Sequence, residues 1–155
     1  MKRNLAASVL TTRWLVRAPI HLFRAGLGFL FGGKLLLLEH VGRVSGEKRY
    51  VVLETVARES PDSVIIASGF GRKSQWFRNL LAHPDCRVSI GRRRNIPMSA
   101  SVLETKEADA ALAYYSAQHP KAWAELHAAI VAATGESDPE IPLVRLSRRG
   151  DTATR

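Results

Sequence analysis

The sequence is poor in cysteine, with Cys86 as the only one among 155 residues. A single cysteine cannot form an internal disulfide, and it excludes a metal site built from several thiolates. The five histidines are not paired with acids at metal-ligand spacing, so the sequence predicts no metal site. A chain without disulfides suits a reducing compartment, and we expect a cytoplasmic protein.

Acidic residues are scarce in the first two thirds of the chain. Residues 1–100 contain 17 lysines and arginines against 6 acids, whereas residues 101–155 contain 6 against 8. This imbalance predicts an anionic partner, which could be a phosphorylated or polycarboxylate cofactor, a nucleic acid or an anionic membrane surface. Solubility alone also accounts for a positive net charge.

A long hydrophobic run is also missing. The apolar N-terminal residues are interrupted by Arg13, Arg17 and Arg24, so no run is long enough to cross a bilayer. We expect residues 1–33 to form an amphipathic helical segment, with one helix running from Pro19 to about Phe31. This segment either packs on the domain or, through residues 1–31, serves as a lid or lies on an anionic membrane.

The remaining pattern predicts a single domain over residues 1–155, of the α+β class. Six segments are typical of strands, and successive strands lack helical crossovers, which favours an antiparallel sheet closed as a small barrel. The predicted strands are Leu35–His40, Tyr50–Arg58, Val64–Ser68, Cys86–Ile90, Ile96–Glu104 and Leu143–Ser147. The predicted helices are Gln75–Ala82, 107–118 and 121–134, and residues 148–155 form a polar tail.

A glycine-bounded cationic loop, residues 42–46, follows the first predicted strand. Gly42 and Gly46 permit a positive φ and close approach of the backbone to a ligand. Ser45 offers a hydroxyl group, while Arg43 and the following Lys48 and Arg49 suit phosphate or carboxylate oxygens. The loop lacks the Gly-Lys-Ser/Thr ending of a Walker loop. A hairpin turn with solvated cations explains this segment equally well.

A second loop of similar character, residues 67–79, follows the third predicted strand. Gly69 and Gly71 free backbone N–H groups just before a helix, which favours anion binding. Ser74 is placed to cap that helix. Trp76 could pack against a flat ring, or it could simply anchor the core.

Taken together, the two loops resemble the deazaflavin-dependent nitroreductase family, which are split-barrel oxidoreductases that use coenzyme F420. The resemblance is carried by Gly-Arg-x-Ser-Gly with a downstream arginine, then Ala-Ser-Gly-x-Gly, Trp-Phe-x-Asn-Leu and His-Pro. It covers roughly residues 20–147, including Ile141-Pro142-Leu143-Val144. It implies an antiparallel split β-barrel, similar to FMN-binding split barrels, with an N-terminal helix and flanking helices.

The resemblance also implies cofactor-binding positions in four segments. The first loop would hold the phosphate and oligoglutamate tail, and the strand after it would line the cofactor. The end of the next strand would lie beside the deazaflavin ring, and the helix after it would close over the cofactor. These positions are Arg43, Val44, Ser45, Gly46, Lys48, Arg49, Tyr50, Val52, Glu54, Ile66, Ala67, Ser68, Gly69, Gln75, Trp76, Phe77 and Asn79.

The implied activity is hydride transfer from reduced deazaflavin to an electron-poor acceptor, such as a quinone, an activated alkene or a nitro compound. Ser68, Tyr114, Tyr115 and His119 are the candidates for donating a proton or orienting the substrate. Family members often carry lysine or arginine at the position of Val44. The nitroimidazole-reducing branch has several tyrosines where this chain reads 119–125, so a different substrate pocket is expected.

Two other readings stay open at this point. FMN also has a phosphate and a flat ring, so the loops do not exclude an FMN-binding reductase. A non-enzymatic binder of anionic membrane or nucleic acid is supported by the charge excess and by residues 92–94, three arginines that read as a solvated hairpin tip. Nucleic-acid binding would require aromatic residues interleaved with the cations, and these are sparse, so no specific nucleic acid is expected. The protein is expected to be a monomer or homodimer.

Overall fold

The computed structural model describes residues 20–69 and 71–149. The first part of the predicted N-terminal segment and the end of the predicted tail lie outside these residues. Residues 20–24 are helical (α1), and a 3₁₀ turn follows at Gly28–Phe31. The predicted helix to Phe31 is therefore wrong in its extent, because Gly26 adopts a φ of 84° that an α-helix cannot continue. No helix in the described ranges is long and apolar enough to cross a bilayer.

Six strands form a closed antiparallel barrel in the order β1-β2-β3-β6-β5-β4. This confirms the predicted α+β class and the barrel with flanking helices. The strands are β1 (Leu35–Val41), β2 (Lys48–Ser60), β3 (Ser63–Ala67), β4 (Asp85–Ile90), β5 (Arg93–Val102) and β6 (Leu143–Arg148). The helices after α1 are α2 (Gln75–Ala82), α3 (Thr105–Gln118) and α4 (Pro120–Thr134).

Strand β2 is long enough to pair with two different strands along its length. Its residues Lys48–Glu54 pair with β1, whereas pairing with β3 begins at Thr55, where a bulge shifts the register. Because β3 ends at Ala67, the chain leaves the sheet beside the first half of β2. The barrel wall therefore has a gap at this place.

The barrel interior is filled by alternate residues of the strands together with one side of α2. Leu36 and Leu38 of β1 point inwards and are fully buried, as expected for period-2 alternation. Phe77 and Leu80 of α2 join the same apolar cluster. A second cluster, which includes Ile65, Ile130 and Leu143, joins the barrel wall to α3 and α4. This cluster fixes α3 and α4 on the barrel wall.

The predicted hairpin tip at residues 92–94 is too long, because Arg93 and Arg94 belong to β5, although Arg94 is exposed as expected. The β4–β5 connection is only two residues long, with Gly91 at a φ of 58°, so Arg93 and Arg94 already lie in β5. The Arg93 guanidinium donates a hydrogen bond to Asp62 at 2.9 Å, and that of Arg94 donates to the carbonyl of Arg24 at 3.1 Å. Both side chains thus help to hold the fold. The predicted polar tail is also shorter, because Arg148 belongs to β6.

Candidate active site

An apolar cavity of about 560 Å³ occupies the gap beside β2. We call it the apolar slot. One wall is formed by Val51–Glu54 of β2, and the facing walls come from Ala67, Trp76 and Leu126. A narrow space with mostly apolar walls suits a flat uncharged ring system.

A second cavity of about 370 Å³ adjoins the slot, and we call it the cationic pocket. It is lined by Gly42, Arg43, Val44, Ser45, Arg49, Gln75 and Asn79. Gln75 lines both cavities, so the slot and the pocket lie side by side, and we call the two together the groove. The groove is apolar at one end and carries two arginines at the other, so its preferred ligand has a flat ring joined to an anionic group.

The loop at residues 42–47 is shaped by backbone hydrogen bonds and by one position that requires glycine. The amide of Gly42 donates to the carbonyl of Glu47 at 2.8 Å, and the amide of Gly46 donates to the carbonyl of Gly42 at 2.8 Å. A Cβ on Gly42 would lie 2.6 Å from the Ser45 Oγ and 3.1 Å from the Arg49 Nε. Glycine at position 42 therefore allows Ser45 and Arg49 to come together in the pocket.

Asn79 of α2 connects the helix to the loop. Its Oδ1 accepts hydrogen bonds from the backbone amide of Arg43 at 3.1 Å and from the Arg43 Nη1 at 2.8 Å. The Arg43 Nη2 donates to the Gln75 Oε1 at 2.9 Å. Arg43 is therefore held between two side chains one turn apart on α2, which fixes its guanidinium in the wall of the cationic pocket.

The candidates for proton donation differ in their placement. Tyr115 lines the apolar slot, and its hydroxyl donates a hydrogen bond to the Glu54 Oε1 at 2.6 Å. Burial raises the pKa of the Tyr115 phenol, and the hydrogen bond to Glu54 raises it further. Tyr114 is 66% exposed and lines neither cavity of the groove. The His119 ring centre lies 5.2 Å from the Tyr115 ring centre, and His119 lines neither cavity of the groove.

Ser68 is fully buried and does not line the groove. Its hydroxyl donates to the carbonyl of Gly71 at 2.6 Å, and it lies 3.1 Å from the Ser74 Oγ. These contacts hold the loop between β3 and α2. Ser74 stands at the N-cap of α2 but makes no capping hydrogen bond with its side chain, contrary to the expectation from sequence.

The structure brings eleven of the seventeen predicted cofactor positions to the groove. Val52, Glu54, Ala67, Gly69, Gln75 and Trp76 line the slot, and Arg43, Val44, Ser45, Arg49 and Asn79 line the pocket, where Gln75 also lies. The other six positions line neither the slot nor the pocket. They are Gly46, Lys48, Tyr50, Ile66, Ser68 and Phe77.

Ile66 and Phe77 are fully buried in the barrel core, where no ligand reaches them. Tyr50 lies outside the groove with the Arg24 guanidinium 5.0 Å from its ring centre. The Lys48 ammonium pairs with Glu39 at 3.8 Å. Gly46 serves the turn with a φ of 72°.

Sequence reasoning missed Val56 and Leu126 of the slot, whereas Val51 and Leu53 fall within the strand that the resemblance placed along the cofactor. Alternation along β2 suggests that only one face should meet a ligand, whereas both faces meet the slot because it runs beside the open side of the strand. Leu126 reaches the slot through the packing of α4, for which no local pattern gives a signal. The described residues hold no cluster of three or more His, Cys, Asp or Glu side chains suited to a metal ion.

Comparison with known proteins matches most of the chain to one family. The sequence profile of the F420H(2)-dependent quinone reductase family matches residues 16–143. A Mycobacterium tuberculosis protein named as a candidate F420H(2)-dependent quinone reductase, Rv3178, is 36% identical over 86 residues, which are 54% of this chain and 71% of that protein.

Solved structures show the same fold at lower identity. The F420-H2 dependent reductase FDR-A is 24% identical with a TM-score of 0.53, over 74% of this chain and 94% of that one. A structure described as a domain-swapped dimer is 22% identical with a TM-score of 0.58, over 88% of this chain and 99% of that one.

Proposed function

Because the chain belongs to the F420H(2)-dependent quinone reductase family and is an F420-dependent oxidoreductase, we propose that its groove carries the reaction with a quinone as the acceptor. The observation that carries this proposal is that the apolar slot lies beside the cationic pocket, with Gln75 lining both. When bound, reduced F420 supplies the hydride. The family assignment replaces the hypothesis of a purely non-enzymatic binder.

The residues of the groove fit the two chemical halves of this cofactor. Arg43 and Arg49 offer charge-assisted hydrogen bonds to the phosphate and glutamate carboxylates of the tail. The slot walls around Trp76 and Leu126 would pack against the deazaflavin ring and exclude water from its face. Val44 lines the pocket but carries no charge, so Arg43 and Arg49 are the side chains that would make charged contacts with the tail.

The slot also limits the acceptor. A flat, uncharged acceptor such as a quinone matches its apolar walls, and reduction of a quinone requires one proton in addition to the hydride. Tyr115 is the candidate that lines the slot, and its hydroxyl holds a proton on a hydrogen bond to Glu54. We therefore assign Tyr115, rather than Ser68 or Tyr114, to substrate orientation, because the raised pKa of its phenol and its hydrogen bond to Glu54 oppose release of the proton. An activated alkene or a nitro compound would present the same flat shape and remains an alternative acceptor.

The proposal is tested by titrating the purified protein with F420 and with FMN while following their fluorescence. We expect micromolar or tighter binding of F420 and at least tenfold weaker binding of FMN, since two arginines suit a tail with several anionic groups. Oxidation of reduced F420 is then followed with a naphthoquinone, a nitro compound and an activated alkene.

Faster turnover with the quinone supports the assignment, and Tyr115→Phe should then lower kcat while leaving the Kd for F420 unchanged. Absence of F420 binding would remove the proposal. FMN binding of equal strength would favour the flavin alternative.

We also propose that the N-terminal region touches an anionic membrane, from which a lipid-soluble quinone would be reached. Within the predicted segment, Leu27, Phe29 and Leu30 are exposed apolar residues, and Leu30 is 63% exposed. The Arg92 guanidinium lies 5.7 Å from the Phe29 ring centre, so cationic and apolar groups share this surface. Residues 1–19 lie outside the described part of the chain.

Co-sedimentation with vesicles tests this contact. Full-length protein should pellet with vesicles that contain anionic lipid, and serine at positions 27, 29 and 30 should at least halve the pelleted fraction. Leu81→Ser, at a residue that is 56% exposed on α2, is the matched control and should pellet as the wild type does. Equal pelleting of the triple variant would contradict the contact.

A further inference from the structure

We propose that His40 positions Arg43 for the anionic part of the cofactor by fixing the orientation of the Asn79 amide. The inference rests on the proposed function, because it requires the cationic pocket to hold the phosphate and carboxylates of F420. His40 lies on β1 and lines neither the slot nor the pocket, and its side-chain hydrogen bond is to Asn79.

The first step is the contact between two buried side chains. His40 is 4% exposed and Asn79 is 2% exposed. The His40 Nδ1 lies 3.1 Å from the Asn79 Nδ2. Buried donors and acceptors such as these need hydrogen-bond partners, because a buried polar atom without one destabilises the protein.

The second step fixes the direction of the Asn79 amide. Its other end faces two donors, the backbone N–H and the Nη1 of Arg43. Only an oxygen can accept from both, so the amide oxygen faces Arg43 and the NH₂ group faces His40. The Nδ1 of His40 must therefore accept, which assigns the neutral tautomer with its proton on Nε2. Burial and the nearby Arg49 lower the pKa of His40 to about 4, in keeping with a neutral ring.

The third step is the effect on the cationic pocket. Without an acceptor at position 40, the buried NH₂ group of Asn79 would lose its partner, and only the two hydrogen bonds from Arg43 would hold the amide in place. An Asn79 side chain that shifted to give its NH₂ group another partner would break those two bonds. Arg43 would lose both hydrogen bonds to Asn79 and keep only the contact of its Nη2 with Gln75. An arginine that is no longer pre-oriented binds an anion more weakly, because ordering its side chain then opposes binding.

The distinguishing comparison is between two variants at position 40. His40→Asn keeps a side-chain oxygen near the place of Nδ1, so it can still accept from Asn79. His40→Leu keeps an apolar side chain of moderate size and removes the acceptor. If His40 only filled space, His40→Leu would be the better tolerated change. If it orients the amide, His40→Asn will be better tolerated.

The experiment measures the Kd for F420 and for the deazaflavin riboside, which lacks the phosphate and glutamates. We expect His40→Leu to weaken F420 binding about tenfold and leave riboside binding unchanged, while His40→Asn stays within about threefold of the wild type. Unchanged F420 affinity in a folded His40→Leu protein would overturn the inference. Loss of affinity for both ligands would also overturn it, since the effect would then not run through the pocket.

A second measurement reads the His40 ring in the wild-type protein. Nitrogen-15 NMR of the wild-type imidazoles reports the tautomer of each ring, and His40→Asn identifies the His40 signal by its loss. A signal from unprotonated Nδ1 supports the inference, and one from protonated Nδ1 overturns it. This readout also separates the two proposals: wild-type protein that shows this tautomer but binds no F420 would contradict the proposed function, not the orientation of the amide.

Discussion

Arg43→Ala is expected to weaken F420 binding by about 10- to 100-fold, because hydrogen bonds to charged groups contribute about 1.5–3 kcal/mol. The Arg43 guanidinium lies in the wall of the cationic pocket and is held there by Asn79 and Gln75. The loss should appear in the Kd measured by fluorescence and in the KM for reduced F420. The value of kcat should change little, since the hydride is transferred at the other end of the groove.

The control for this change is Arg78→Ala. Arg78 is an exposed arginine on the same helix, α2, and it lines neither cavity. Arg78→Ala removes one positive charge, as Arg43→Ala does, so any general effect of net charge on F420 binding will appear in both variants. Equal weakening of F420 binding by both variants would show that the pocket does not hold the tail. Higher salt should reduce the difference between wild type and Arg43→Ala, because screening weakens the attraction of the arginine for the anion.

Phe77→Ala is expected to lower the free energy of unfolding by about 3–5 kcal/mol, the usual cost of deleting a buried aromatic side chain. Phe77 is fully buried and connects α2 to the barrel interior, with the Trp76 ring 6.1 Å away between centroids. Urea denaturation followed by circular dichroism measures this loss. A loss below about 1 kcal/mol would contradict the placement of Phe77 in the core, because such small values are typical of surface changes.

Phe77→Leu separates the structural role from the cofactor role that the sequence suggested. Leucine fills much of the same space, so the loss of stability should be smaller than for alanine. Because Phe77 does not line the groove, the folded leucine variant should bind F420 with unchanged affinity. If Phe77→Leu kept its stability but bound F420 with a clearly different affinity, Phe77 would have to contact the cofactor.

Much of the fold could be predicted because its signals are local. Alternation and glycine-bearing turns place the strands, and the structure extends most of them by only a few residues. The error at Arg93 and Arg94 has a physical cause. A row of arginines suggests a solvated turn, but the partners Asp62 and the Arg24 carbonyl come from distant parts of the chain.

The cofactor loops were also accessible from sequence, whereas the direction of individual side chains was not. Trp76 and Phe77 are adjacent aromatic residues with equal apolar character. The rotation of about 100° per residue in a helix gives them different surroundings: Trp76 belongs to the core cluster and also lines the slot, whereas Phe77 belongs to the core cluster and does not line the groove. Ser68 is one of the predicted proton donors, yet its hydroxyl donates to the carbonyl of Gly71 within the loop itself. Such outcomes depend on tertiary packing, which a local pattern does not contain.

The gap beside β2 has a consequence for how a ring would be recognised. The amide of Thr55 donates to the Lys34 carbonyl, on the β1 side of the strand. Since successive residues of a strand direct their peptide groups to opposite sides, the N–H and C=O groups of Val52 point away from β1, on the side of the slot that this residue lines. These main-chain groups have the polarity to meet the heteroatoms along the edge of a flat heterocycle. Recognition of that edge would then depend on main-chain groups, and a proline at position 52 would remove the N–H donor.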